Sequence, residues 1–258
     1  MKAPRLSIIV LTCNQRHFTL RLLESMARYL RSRAGDVELI LVDNGSTDGT
    51  ADKVGQWARR HSITNLRTII SPENVGVARG RNLGLDAATG TTLMLLDNDT
   101  IACDETFDSL LEYVERNPQC GVAAPALYSP SGELQASAKP YPGILLKLSH
   151  LVRPGKELPK ERKELEKPHP FYVIGACQIF RRDVLRRVGL LDPKIFYGPE
   201  DADFCIRVRN ARYTIDYLRH LSLTHDWQRA TRRSPFGKLG RLHAKALLRF
   251  WLRYTFRH

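Results

Sequence analysis

Short unbroken apolar runs alternate along this chain with stretches in which apolar residues recur every three or four positions. Leu6-Ser7-Ile8-Ile9-Val10-Leu11 predicts a buried first strand, and Phe18, Leu22, Leu23 and Met26 then repeat at helical spacing. Glu38-Leu39-Ile40-Leu41-Val42 predicts a second strand. It ends in Asp43-Asn44-Gly45-Ser46-Thr47-Asp48-Gly49-Thr50, a tight loop whose Ser46, Thr47 or Asp48 can cap a helix around Val54 and Trp57. Residues 66–70 form a third strand, and residues 74–84 lead into a short helix. Leu93-Met94-Leu95-Leu96 then runs straight into Asp97-Asn98-Asp99. Strand, helix and strand at this spacing imply right-handed crossovers and a parallel sheet.

The second half is less regular. A helix is expected over about 107–115 and a strand over 121–125. Residues 139–170 are rich in Pro and Lys and carry an amphiphilic patch at 144–152. They read as a mobile or partly ordered connection, which is either a lid or binding loop or simply a solvated charged loop. Residues 171–180 predict a strand pair, or a strand and a turn, followed by a helix bearing Val184, Leu185 and Val188. Pro199 followed by Glu200, Asp201 and Asp203 is a sound helix start, with acids at the positive end of the dipole. Strands over 213–218 and 221–224 bring the chain to His225.

Length and composition change the picture only in part. At 258 residues, 43% hydrophobic and 26% charged, the chain is an ordinary globular protein rather than a disordered one. A formal charge of +13 suggests a polyanionic partner: nucleic acid, anionic lipid or a phosphorylated substrate. Cys13, Cys103, Cys120, Cys177 and Cys205 lie far apart with no CxxC pair, which points to reduced thiols in a cytoplasmic compartment. The apolar run at 8–11 is too short for a signal-peptide core, and no stretch approaches the ~20 apolar residues of a membrane span.

The chemistry concentrates at strand ends. Asp97 and Asp99 fall at the C-terminal end of a buried strand, the edge where open α/β sheets bind ligands. Two carboxylates leaving a dry strand repel each other unless a positive charge lies between them. A hard divalent cation carrying a nucleotide diphosphate meets that need; an ordinary Asx turn is the alternative. Neither GxxxxGK[ST] nor a GxGxxG after the first strand is present. A P-loop and a dinucleotide fold are therefore not expected, which puts phosphate binding on a metal. Helix capping explains one or two of the acids at 200–203, but not readily all three.

These segments, in this order, resemble the family 2 inverting glycosyltransferases, particularly the bacterial rhamnosyltransferase-like branch. The resemblance is carried by Thr12-Cys13-Asn14, the Asp43 to Thr50 loop, Asn74-Val75-Gly76 with Arg81-Asn82-Leu83-Gly84, Asp97-Asn98-Asp99, Gly175-Ala176-Cys177, Glu200-Asp201-Ala202-Asp203 and His225, and it spans about residues 6–226. It implies a GT-A fold: a mixed, mostly parallel α/β sheet flanked by helices. Thr12 and Asn14 would line the nucleotide pocket. Asp43 would accept a hydrogen bond from the base or ribose, with Asn44 in the same donor-binding set. Arg81 would help hold the base or diphosphate, with Arg79 as the rival for that role. Asp99 would ligate Mn2+ or Mg2+, Asp97 would touch ribose or metal, and His225 would complete the metal site. Asp201 would be the catalytic base, with Glu200 sharing its proton. A UDP- or dTDP-sugar is the expected donor and a glycan or lipid-linked acceptor the expected recipient, in cell-surface polysaccharide assembly.

From Arg232 onward there is no acid. Lys238, Arg241, Lys245, Arg249, Arg253 and Arg257 form a basic stripe beside the apolar stripe of Leu239, Leu242, Ala246, Phe250 and Tyr254. Such a helix suits an anionic membrane surface, at the inner face of the cell membrane. It equally suits docking on the catalytic domain by its apolar side. Nucleic acid is not expected, because no reading module accompanies the charge. The expected organisation is a GT-A domain over 1–230, with 139–170 as a mobile acceptor-side loop, and a basic helical extension over 231–258. The alternative from another class is a non-catalytic protein that binds polyanions or membrane surfaces on the same fold.

Overall fold

The structure, a computed structural model, describes residues 3–143, 159–227 and 237–254. The patch at 144–152 and the links at 228–236 and 255–258 lie outside the described residues. The first half is built from β1 (Leu6–Thr12), α1 (Arg16–Ser32), β2 (Val37–Asn44), α2 (Thr50–Arg60), β3 (Leu66–Ser71), α3 (Val77–Ala87) and β4 (Thr92–Asp97). Then follow β5 (Thr100–Ile101), α4 (Asp104–Arg116), β6 (Cys120–Tyr128), β7 (Ala138–Lys139), α5 (Pro159–Glu164), β8 (Tyr172–Val173) and β9 (Cys177–Arg181). The chain closes with α6 (Arg182–Val188), α7 (Glu200–Asn210), β10 (Thr214–His225) and α8 (Lys238–Tyr254).

The main sheet has the order β3-β2-β1-β4-β9-β6-β10-β5. β1 to β4 are mutually parallel, and β10 is parallel to β6. β9 runs antiparallel to β4 and to β6, and β5 antiparallel to β10. The sheet is thus the mixed, mostly parallel one expected. Its central strands β1, β2, β4, β9 and β6 are buried on both sides because both faces are covered there, while the edge strand β3 is half exposed. Ile8, Val10, Met94 and Leu96 point into one core beneath α1, α2 and α4. Ile9, Leu93 and Leu95, one residue out of step, point into the other, beneath α3, α6 and α7. On that second face α3 lies unusually close. A Cβ built at Gly84 would stand 2.4 Å from Ile9 Cγ2, so this helix can approach the sheet only with glycine there.

The in-register pairs Thr12↔Asp43 and Leu11↔Asp97 set the ends of β1, β2 and β4 along one sheet edge. Three expectations need correction. The two strands foreseen around 213–224 are one strand, β10, whose register to β6 shifts between Leu218 and Ser222. The helix foreseen from 107 begins at Asp104, where Asp104 and Glu105 sit favourably in its first turn. The N-cap of α2 is Gly49 rather than Ser46, Thr47 or Asp48. The Asp48 carboxylate still acts one residue earlier, accepting from Thr50 N–H at 3.1 Å.

The described flanks of the 139–170 segment are held in place. β7 pairs with β8, Lys139 Nζ lies 2.7 Å from the buried Glu161, and Tyr217 N–H donates to Pro168 O at 2.8 Å. The docked alternative for the C-terminal helix is the one its contacts match. Phe250 and Tyr254 of α8 are buried in the second core, and the Tyr254 hydroxyl donates to Asp203 Oδ1 at 2.6 Å. Arg253 reaches Asp192 at 3.2 Å and Asp203 at 3.1 Å.

Candidate active site

Asp97 ends β4, and Asn98 makes the turn that follows. The Asn98 side chain is buried and donates to Thr19 Oγ1 at 3.0 Å and Thr12 Oγ1 at 3.3 Å. That anchor on α1 and β1 fixes the turn between the two acids. Thr100 Oγ1 closes it by donating to Asp97 O at 2.7 Å. The short β5 then pairs with the end of β10, Thr100 opposite His225. Residues 126 positions apart in sequence are thereby joined: His225 Nε2 lies 3.2 Å from Asp99 Oδ1. One ligand atom from each of Asp97, Asp99 and His225 falls within 4.8 Å of the others.

A second residue fixes the histidine. Gln135 Nε2 donates to His225 O at 2.7 Å, and its Oε1 stands 2.7 Å from His225 Nδ1. An amide oxygen can only accept, so Nδ1 carries a proton and Nε2 is the atom left facing Asp99. A lone pair against a carboxylate is repulsive, and a proton or a cation between them removes the conflict. Burial alone would pull His225 down; the hydrogen bond and charge of Asp99, aided by Asp97, outweigh it and hold the imidazole above its ordinary value. Burial pushes Asp97 upward, Arg81 opposes that, and Asp99 adds to it. Two crowded carboxylates and an imidazole with its tautomer already set form a donor set that fits a divalent cation. Gln135 carries no sequence signal; only its contact across 90 residues reveals it.

Arg81 lies beneath both sets of acids. It is 5% exposed, and its Nη2 donates to Asp97 Oδ1 at 2.6 Å and to Gly175 O at 2.9 Å. Its Nη1 is 3.7 Å from Glu200 Oε1. Gly175 leaves room for this guanidinium, since a Cβ at that position would stand 2.3 Å from Arg81 Nη1 and the arginine would have to move. Glu200 opens α7 in a buried position, with Oε2 lacking a hydrogen-bond partner among the described residues. Burial and the neighbouring Asp201 raise it to about 7, against the pull of Arg81. Asp201 is half-buried. Its carboxylate accepts from Ala202 N–H at 2.7 Å and Gly175 N–H at 3.3 Å.

The structure therefore brings Asp97, Asp99, His225, Arg81, Glu200 and Asp201 into one constellation. Thr12, Asn14, Asp43 and Asn44 lie along the same sheet edge, with much of their bonding capacity used internally. Thr12 Oγ1 bonds Thr19 at 2.8 Å, and Asp43 Oδ1 accepts from Ser46 N–H at 2.9 Å. Asn14, at φ 52°, accepts from Thr47 N–H at 2.7 Å and so ties the first strand-end loop to the second. Asn44 holds the loop before α3, donating to Asn74 Oδ1 and Gly76 O and accepting from Val75 N–H at 3.0 Å. Arg79 is exposed and donates to Pro193 O at 3.0 Å, away from the acids that Arg81 serves.

Residues 7–189 match the family described as Glycosyl transferase family 2. The chain belongs to that family. It is a glycosyltransferase, and the relatives it is similar to include a rhamnosyltransferase. An N-acetylglucosaminyl-diphospho-decaprenol L-rhamnosyltransferase of Mycobacterium tuberculosis is 26% identical over 227 residues, covering 80% of this chain and 72% of the relative. An uncharacterized glycosyltransferase, EpsJ of Bacillus subtilis, is 28% identical over 202 residues, covering 78% and 55%. Among solved structures, a Pyrobaculum calidifontis mannosyltransferase in complex with GDP-Man and Mn2+ superposes with a TM-score of 0.65 at 19% identity, over 96% of this chain and 70% of that one. S. aureus TarS (1–349) superposes with a TM-score of 0.60 at 18% identity, over 98% and 73%. The fold of this glycosyltransferase is GT-A.

Proposed function

We propose that this glycosyltransferase moves a sugar from a nucleotide-sugar donor to a glycan or lipid-linked acceptor in cell-surface polysaccharide assembly, with metal assistance and with inversion. The carrying observation is the convergence of Asp97, Asp99 and His225 within 4.8 Å at the sheet edge, joined through Arg81 to Glu200 and Asp201. A divalent ion, Mn2+ or Mg2+, held by Asp97, Asp99 and His225 would supply the positive charge that a departing nucleoside diphosphate needs.

The chain's own groups do the rest. Arg81 holds Asp97 in place from below. Thr12, Asn14, Asp43 and Asn44 shape the edge on which the nucleotide rests, and a UDP- or dTDP-sugar is the expected donor. Asp201, half-buried and braced by two backbone N–H groups, takes the proton from the acceptor hydroxyl as that oxygen bonds to the anomeric carbon. The bond from that carbon to the diphosphate oxygen breaks in the same displacement, so the anomeric configuration inverts and no covalent intermediate forms. Glu200, raised to about 7, is about half protonated at neutrality, so the acid pair carries less than its full double charge. A lipid-linked acceptor agrees with the diphospho-decaprenol named for the mycobacterial relative, and the basic face of α8 offers contact with the inner membrane surface. No helix among the described residues is long and apolar enough to cross a membrane.

The assignment of the base is tested with Asp201→Asn. The expected result is loss of sugar transfer, by about 100-fold or more, with nucleoside diphosphate binding retained. Transfer at the wild-type rate would remove Asp201 from the role.

A further inference from the structure

Beside α8 a cleft of about 850 Å³ opens between that helix and the segment leading to α7. Its apolar lining includes Phe196, Leu248 and Leu252, and its cations include Lys194, Lys245 and Arg249, with no acid among the described lining residues and Asp192 behind Arg249 and Arg253. Leu248 and Leu252 are 57% and 59% exposed, although the opposite side of the same helix is buried in the core. Arg249 leans on Asp192 at 3.5 Å, and Lys194 and Lys245 face solvent. Aligned leucines flanked by ammonium groups do not suit a nucleic acid or a neutral glycan. They suit an amphiphile with a phosphate-bearing head and a hydrocarbon chain.

The position of the cleft narrows the choice. Phe196 O accepts from Val77 N–H at 2.7 Å at the start of α3, and Tyr197 O bonds His243 Nδ1 of α8 at 3.1 Å. The segment 196–199 is therefore a shared wall between the donor edge and the cleft. Asp201 lies five positions after Phe196, which bounds their separation at about 17 Å. A sugar presented to Asp201 on a lipid diphosphate would leave its charged and greasy parts on the α8 side of that wall.

We infer that this cleft seats the diphosphate and the first part of the hydrocarbon chain of a lipid-linked acceptor. The phosphates lie against Lys194, Lys245 and Arg249, and the chain lies along Phe196, Leu248 and Leu252. The inference rests on the proposed transfer to a lipid-linked acceptor and adds to it the subsite and the class of ligand.

Calorimetric titration with farnesyl diphosphate tests it, run with a chelator so that a metal-dependent diphosphate site at the sheet edge stays out of play. Inorganic pyrophosphate and phosphatidylglycerol vesicles are titrated alongside. Farnesyl diphosphate is expected to bind, and pyrophosphate to bind about tenfold more weakly, since it lacks the chain. Leu248→Asp and Lys245→Glu, both at exposed positions, are each expected to weaken farnesyl diphosphate by about tenfold. Their melting temperatures are recorded so that a misfolded variant is recognised. Equal affinity of wild type and variants for farnesyl diphosphate overturns the subsite. So does vesicle binding that uses the same residues and is not displaced by farnesyl diphosphate, because the occupant is then the bilayer surface. Nucleotide binding with Mn2+ at the sheet edge is read separately, so failure of the donor reading is distinguishable from failure of this one.

Discussion

Glu200 offers a stability test that follows directly from its surroundings. It is 7% exposed, one carboxylate oxygen has no hydrogen-bond partner among the described residues, and Asp201 stands next to it. Arg81, 3.7 Å away, recovers only part of the cost. The result is a group raised from an ordinary 4.5 to about 7. Between those two values the folded protein binds a proton that the unfolded chain has released, so stability falls as pH rises across that window. At about 1.4 kcal/mol per pH unit, the penalty reaches about 3 kcal/mol above neutrality and vanishes below pH ~4.5. Glu200→Gln imitates the protonated side chain at every pH. Urea unfolding of wild type and variant at about pH 8 and about pH 5 reports on Glu200 together with the Asp201 and Arg81 charges it interacts with, because every more distant titration is common to both proteins. The variant is expected to be more stable by about 3 kcal/mol at the higher pH, with most of that gain gone at the lower pH. Transfer activity should fall at the same time, a trade of stability for function. A pH-independent difference, or a variant less stable at pH 8, would refute the reasoning.

Three further outcomes follow from contacts around the site. Gln135→Leu removes the acceptor that sets the His225 tautomer and should weaken Mn2+ binding about 10- to 100-fold in an electron paramagnetic resonance titration; unchanged binding would show that the tautomer is set otherwise. Gly175→Ala forces a Cβ to 2.3 Å from Arg81 Nη1 and should separate Arg81 from Asp97. Nucleotide binding should then drop together with stability, and calorimetry on the folded variant would expose a silent substitution. Tyr254→Phe removes a 2.6 Å hydrogen bond to the buried Asp203 and should cost about 1.5–3 kcal/mol in urea unfolding. No loss would mean that α8 is not fastened to the domain through that pair.

The sheet was legible because its central strands are buried on both faces. Apolar runs such as Leu93-Met94-Leu95-Leu96 announce such strands, and a carboxylate at the end of one marks the ligand-binding edge. The same locality explains what could not be read. Arg81 looks like any basic residue on a short helix, and nothing nearby in sequence says that Asp97, Gly175 and Glu200 surround it. Thr12 and Asn44 sit at strand ends like donor-binding residues, yet their side chains turn to Thr19 and to the 74–76 loop. The paired basic and apolar stripes of α8 suited a membrane surface and docking on the domain equally, and the docking partners Asp203 and Asp192 lie 51 and 61 residues upstream of Tyr254 and Arg253. Pairings of that kind are set by topology, and hydropathy patterns do not carry them.

The most direct test is a thermal-shift panel of UDP, dTDP, GDP and CDP, each with and without Mn2+, on wild type and Asp99→Ala. The expected result is one nucleotide that stabilises wild type only when Mn2+ is present, with the effect absent from the variant. At about 100 times its dissociation constant such a ligand adds about 2.7 kcal/mol. A nucleotide that stabilises equally well without metal, or that still needs and uses Mn2+ after Asp99 is removed, would contradict the assignment of Asp97, Asp99 and His225 as the metal-binding centre of the donor site.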